Sequence, residues 1–318
     1  MTNLFEKSGG EVSYCHRPSA TTASNNTNMH ISHSEPSPLE GLEGVTVQTF
    51  ISIEDMRKAV NSRSKQLQAG ATNQYLVFRP VTTDALVEID HQRHKIGRHT
   101  RMTHYADSDT LIIKLMPSAT HESAHINFAE EWTHRARMMG VSRRDFWGLG
   151  GTRFKGFSTS KEADSAYKPS TIRGQENDWP TIVFESGLSE TLNRLRVDAR
   201  WWLSNSRGDV KIGVIFSIQK ASKTILIEKW ELDSVPGTRP STRAFPNNPN
   251  PNAPPPNRPG IPTKIQAITV DSNNATGAPL VLEFQKLFLR PATPLEQDFI
   301  FTGQDLLSWA ADFWAALN

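Results

Sequence analysis

Apolar positions along this chain fall into two rhythms, one with the period of a helix and one with the alternation of a strand. The segment IEDMRKAVNSRSKQLQ predicts a helix, and the apolar run YLVFRP and the strand-like TLIIKLMP at Thr110 to Pro117 follow it. A longer helix is predicted to begin near Ser118, with its stripe at Phe128, Trp132, Ala136 and Met139 and with His121 and His125 extending that stripe backward. Strands are predicted near 151 to 157, over KEADSAY at Lys161 to Tyr167 and over PTIVFESG at Pro180 to Gly187. Leu188, Leu192, Leu195, Ala199 and Trp202 then repeat at helical spacing with Ser189 as N-cap, while Arg194, Arg196 and Arg200 mark the opposite face. VKIGVIFSI and KTILIEKWEL predict a hairpin, TKIQAITVD and PLVLEFQKLFL two more strands, and FTGQDLLSWAADFWAALN a closing helix capped by Thr302 with Asp305. The order predicts a mixed α/β (α+β) protein with one mixed central sheet.

Two stretches break the rhythm. Residues 1–45 are rich in Ser, Thr, Asn and His with few apolar positions, which predicts a disordered N-terminal tail. Residues 235–262 are dominated by proline, which fixes extended, unpaired backbone and predicts a solvated insertion carrying Arg239, Arg243 and Arg258. The rest, 46–318, reads as a single domain.

Composition narrows the classes without choosing one. With 318 residues the chain can bury a sizeable core, and a net charge of +2 demands neither nucleic acid nor an acidic membrane as partner. The one cysteine, Cys15, excludes an intramolecular disulfide framework. The N-terminal residues lack an apolar leader, and no run of about 18 apolar residues occurs, so a cytoplasmic or nuclear location and no membrane span are expected.

HESAH, His121 to His125, matches the zinc-peptidase pattern in which two histidines one turn apart ligate zinc and the intervening Glu122 acts as base. A zinc peptidase also needs a third protein ligand, and no suitably spaced residue follows His125. Hydrogen-bonded core histidines are the simpler reading.

Glu185 closes TIVFE, a run apolar enough to be buried on both faces, where a lone carboxylate is costly unless a cation, a donor or a metal meets it. The preceding strand offers Asp164, with Glu162 two residues away on the same face. Paired carboxylates of this kind suit Mg²⁺ or Mn²⁺. Ordinary salt bridges to Arg194, Arg196 or Arg200 are the competing account.

The order helix, three strands, helix, strand resembles the αβββαβ core of the PD-(D/E)XK nuclease superfamily, which is the restriction-endonuclease-like fold. Thr110 to about Leu232 is most similar to the Uma2-type family of endonuclease-like proteins and to uncharacterised fungal relatives, through TLIIKLMP, the histidine four residues after Pro117, KEADSAYKP and PTIVFESGLSE. The resemblance implies Mg²⁺- or Mn²⁺-dependent phosphodiester hydrolysis on DNA or RNA. It makes Asp164 and Glu185 metal ligands, with Glu122, or else Glu130, as the helix carboxylate. Two positions depart from the family pattern: Ala163 replaces the proline before the aspartate, and Gly187 stands where the superfamily keeps lysine. In the Uma2 branch that lysine sits on the next helix, where RVDARWW here places Asp198. Lys161, Arg194, Arg196 and Arg200 are the candidate substitutes, and Lys161 and Arg196 join Asp164 and Glu185 as catalytic candidates. A catalytically inactive module that binds nucleic acid or assembles with partners is the alternative.

Overall fold

Alternate residues of one strand, Ile182 and Phe184 against Val183 and Glu185, face opposite sides of a sheet that is covered on both. That sheet organises the fold. The structure is a computed structural model that describes residues 37–97, 99–116, 119–188, 192–233 and 260–317, without the side chains of 119–123 and of Leu188. The expected proline-rich insertion falls almost wholly outside the described residues, as does the expected tail up to residue 36.

Two sheets form where one was expected. The first contains β1 (Val47–Thr49), β2 (Tyr75–Arg79), β3 (Thr100–Tyr105), β4 (Thr110–Leu115), β6 (Arg153–Lys155) and β7 (Thr159–Glu162), in the order β1-β2-β4-β3-β7-β6. The second contains β5 (Phe146–Gly148), β8 (Ser165–Pro169), β9 (Ile182–Leu188), β10 (Ile212–Gln219), β11 (Thr224–Asp233), β12 (Ile261–Val270) and β13 (Ala275–Thr276), in the order β13-β12-β11-β10-β9-β8-β5. It is mixed: β9 runs parallel to β10 and antiparallel to β8. A ribbon of β14 (Leu280–Leu282) with β15 (Phe299–Phe301) lies beside it in the chain.

Seven helices among the described residues supply the outer layers: α1 (Ile53–Gln68), α2 (Thr83–His91), α3 (Arg93–Ile96), α4 (Ala119–Met138), α5 (Leu192–Asn205), α6 (Phe284–Phe288) and α7 (Gly303–Ala316). Met56, Val60 and Leu67 of α1 recur on one face and pack on Leu76, Phe78, Leu111 and Ile113 of the first sheet. On the second sheet, Phe128 and Trp132 of α4 and Trp309 and Phe313 of α7 meet Phe184 and Phe216. Leu195, Ala199 and Trp202 of α5 cover the opposite side, against Val183 and Ile215. The expected α/β architecture with mixed sheets is therefore present, and α4, β8, β9, α5 and β10 keep their expected order. The Thr302 cap of α7 is a full capping box with Asp305.

Three local expectations change. KEADSAY is two strands, because the chain leaves the first sheet after Glu162 and enters the second at Ser165. PLVLEFQKLFL is a short strand and then a helical turn, since Phe284, Leu287 and Phe288 have helical spacing and are buried together. Residues 37–45 of the expected tail are ordered: Leu42 is buried with Tyr75, Val77 and Ile112, flanked by Leu39 and Val45.

Candidate functional site

The chain passes from one sheet to the other at Ala163 and Asp164, and charged side chains from both sheets meet there. Asp164 stands just before β8 and Glu185 lies in β9, one strand over. From the first sheet, Lys114 of β4 points the same way as Ile112 and away from Leu111 and Ile113, which face α1. Its Nζ donates to Asp164 Oδ2 at 2.6 Å and to Glu185 Oε2 at 3.2 Å. Lys161 of β7 stands 3.4 Å from Glu185 Oε1 and 3.2 Å from Asp198 Oδ1 on α5. Arg194, one turn before Asp198, pairs with it at 3.3 Å.

Lys114, Lys161 and Arg194 thus face Asp164, Glu185 and Asp198, and none of the six side chains is more than 4% exposed. Three cations oppose three carboxylates. Such a cluster is stable only when hydrogen bonds replace the lost water. Ser186 donates its backbone N–H to Asp164 Oδ2 at 2.8 Å, and Trp202 donates Nε1–H to Glu185 Oε1 at 2.8 Å. Arg194 Nη1 donates to the carbonyls of Pro38 and Glu40, and its Nη2 to Tyr105. Residues 37–45 therefore strap the Arg194 end of the cluster. Gly41 makes that approach possible, because it has φ +74° and a Cβ there would lie 2.6 Å from the Arg194 nitrogen.

Proton affinities follow from these distances. Burial would raise the Asp164 pKa, but the closer Lys114 ammonium overrides it and holds the carboxyl well below the usual range. Burial raises the Glu185 pKa, and the more distant Lys161 and Lys114 only partly offset it. Lys114 shows the converse, with burial pulling its pKa down and Asp164 and Glu185 lifting it above the ordinary value. His125 of α4 is brought down to about 4 by burial, only partly countered by Asp164. Its Nδ1 lies 2.8 Å from Ser165 Oγ, and its Nε2 has no hydrogen-bond partner.

The resemblance implies a divalent metal on Asp164 and Glu185, and the donor set does not fit one. Lys114 already spans the two carboxylates, and Glu185 Oε1 is taken by Trp202 and Lys161. Asp164 Oδ1 is the oxygen of this pair left without a hydrogen bond. A divalent ion would have to enter a site where Lys114, Lys161, Arg194 and Arg101 already face the carboxylates. Among the described residues, no group of three His, Cys, Asp or Glu side chains is placed to hold a metal. The adjoining cavity, lined by Tyr75, Arg101, Lys114, Lys161, Arg194 and Asp198, measures about 10 Å³, room for about one water molecule.

The other candidates are dispersed. Arg196 binds Glu228 of β11 with Nη2 2.6 Å from Oε1, so it is not brought to Glu185. Arg200 pairs with Glu40, and Glu162 turns to Arg93 of α3 and Arg153 of β6, not to the face of Asp164. Glu130 lies exposed in a surface groove between α4 and α7. Of HESAH, His125 faces the sheet, and the side chains of His121 and Glu122 lie outside the described residues. The residue that sequence reasoning missed is Lys114, although a lysine inside the apolar run TLIIKLM was its signal. Asp198 was visible only as a departure, and the indole N–H of Trp202 gave no signal.

No family model matches this sequence, and no curated protein does. Among solved structures, the chain is distantly similar to a candidate nuclease of domain family DUF820 from Anabaena variabilis, with a TM-score of 0.38 and 12% identity over 73% of this chain and 99% of that one.

Proposed function

We propose that this chain is a catalytically silent module of nuclease-like core topology, which uses its surface to bind a partner and keeps its former active-site position as an internal charge lock. The observation that carries this reading is the sealed balance of Lys114, Lys161 and Arg194 against Asp164, Glu185 and Asp198. Hydrolysis of a phosphodiester needs a reachable metal or base with an attacking water beside it. Here the two carboxylates are 0% and 1% exposed and already neutralised.

A live Mg²⁺- or Mn²⁺-dependent nuclease is the second reading, favoured by one feature. Lys161 stands beside Glu185, supplying from β7 the cation that is missing at Gly187.

The test incubates the full chain with single- and double-stranded DNA and RNA in Mg²⁺ or Mn²⁺ and follows its melting temperature in the same ions. The silent module gives no cleavage and no metal-dependent shift. Cleavage abolished by both Asp164→Ala and Glu185→Ala would establish the nuclease instead. Fluorescence anisotropy with the same nucleic acids, without metal, asks whether DNA or RNA is the surface partner.

A further inference from the structure

We propose that the groove between α4 and α7 is a docking site for a basic peptide segment, whose lysine or arginine side chains meet Glu130 and Asp312 while a main-chain carbonyl accepts from the indole N–H of Trp309. The inference deepens the silent-module reading and rests on its surface-binding half, since it names where the partner sits and what chemistry the partner carries.

Charge complementarity supports it. The groove measures about 490 Å³, a size that holds small ligands and short peptide segments, on a chain whose net charge is +2. Glu130, Glu131, Asp305 and Asp312 line it against one guanidinium, that of Arg135, with His134 counted neutral. Arg135 is already committed. It pairs with Glu131 at 2.8 Å and with Asp305 at 3.0 Å, donates to the Ile300 carbonyl and stacks over Phe301. No cation among the described residues pairs with Glu130 or Asp312, and both are exposed. A positive group entering the groove therefore meets two carboxylates that are not yet neutralised, whereas a polyanion is repelled.

Trp309 narrows the ligand to a cation that also carries an acceptor. It is the buried residue of the groove's lining, 7% exposed, and its ring packs edge-on against Phe128 and tilted against Phe216, so it forms the floor. Its Nε1–H has no hydrogen-bond partner among the described residues. A buried donor left unmade is costly, and a ligand that brings an acceptor relieves that cost. A polyamine brings only donors to such a floor. A peptide brings both groups, because each of its residues carries a main-chain carbonyl beside the side chain.

The probe is a fluorescein-labelled, C-amidated peptide, Ala-Lys-Ala-Arg-Ala-Lys-Ala, whose dissociation constant with the full chain is read from anisotropy at low salt. Wild type should bind it, and should bind the version with glutamine at every basic position about tenfold or more weakly. Glu130→Gln/Asp312→Asn should weaken binding about 5–30-fold, as loss of two surface ion pairs would, and Trp309→Phe about 3–10-fold, as loss of one hydrogen bond would. Spermine, which has ammonium groups and no acceptor, should compete equally well on wild type and on Trp309→Phe. Asp84→Asn/Glu88→Gln on α2 should leave the peptide's affinity unchanged, and melting temperatures check that each variant is folded. Absence of peptide binding by wild type overturns the proposal, and so does an equal loss in the α2 variant, which would mean diffuse attraction. A peptide affinity untouched by a folded Trp309→Phe would overturn the peptide in favour of a bare cation. Cleavage of DNA or RNA by wild type, with peptide binding intact, would instead overturn the silent-module reading beneath it.

Discussion

Lys161 Nζ lies 3.2 Å from Asp198 Oδ1, so a lysine on the first sheet is neutralised by a carboxylate on the helix that covers the second. β7 thus supplies the cation beside Glu185, and α5 supplies its counter-charge. A cation anchored this way is held by a partner of its own and is not free to approach a phosphate.

Removing either member of that pair leaves a charge in a sealed site. Lys161→Met and Asp198→Asn should each destabilise the protein, by less than the about 3–5 kcal/mol of a buried pair broken outright, because Asp198 keeps Arg194 and Lys161 keeps Glu185. The double variant should lose less than the sum, with a coupling of about 1–3 kcal/mol. Urea unfolding of the four proteins in the cycle measures it, and strict additivity would show that the two side chains do not interact.

Trp202 holds Glu185 in place through Nε1–H at 2.8 Å. Trp202→Phe keeps an aromatic body but leaves Glu185 Oε1 with only Lys161 at 3.4 Å, and a hydrogen bond to a charged group is worth about 1.5–3 kcal/mol. Denaturant midpoints should fall accordingly, with loss of packing adding to the change. A stability equal to wild type would mean that the indole donor is dispensable.

His125 makes stability depend on pH. Its folded pKa of about 4 lies below the 6.5 of an unperturbed imidazole, so the unfolded chain binds more protons between those values. The histidine's contribution is complete above pH 6.5 and is lost as pH falls toward 4, a change of about 3 kcal/mol. Melting temperatures recorded from pH 7 to pH 4.5 should drop more steeply in wild type than in His125→Gln. Parallel curves would remove His125 as the source.

Gly41 tests the strap. Gly41→Ala places a methyl 2.6 Å from the Arg194 nitrogen at a backbone angle of φ +74°. Strain of about 1–3 kcal/mol is expected, concentrated in residues 37–45. Hydrogen exchange should show faster opening of that segment and of the first turns of α5. An unchanged exchange pattern would show that the segment does not depend on its contact with Arg194.

Much of the element layout is legible along the chain. Period-four apolar stripes announce α1, α4, α5 and α7, and dense apolar runs announce β2, β4, β9, β10 and β11, because each must bury one face or both. Thr302 and Asp305 announce the start of α7 for an equally local reason. Glu185 is legible as unusual because a carboxylate rarely follows so apolar a run as TIVF.

What completes them is not local. KEADSAY has no glycine or proline at the crossing, so nothing in it marks the passage from one sheet to the other, which is what separates Glu162 from Asp164. Lys114 and Glu185 are 71 residues apart, and their contact exists because the first sheet packs toward the crossing. The sequence by itself determined the long helices and the main apolar strands and that Glu185 demands a partner, since periodicity and burial cost are properties of short stretches. Only the tertiary structure decided that the partner is an ammonium from another sheet, because ion pairing depends on distances of a few ångströms between residues that chain order leaves far apart.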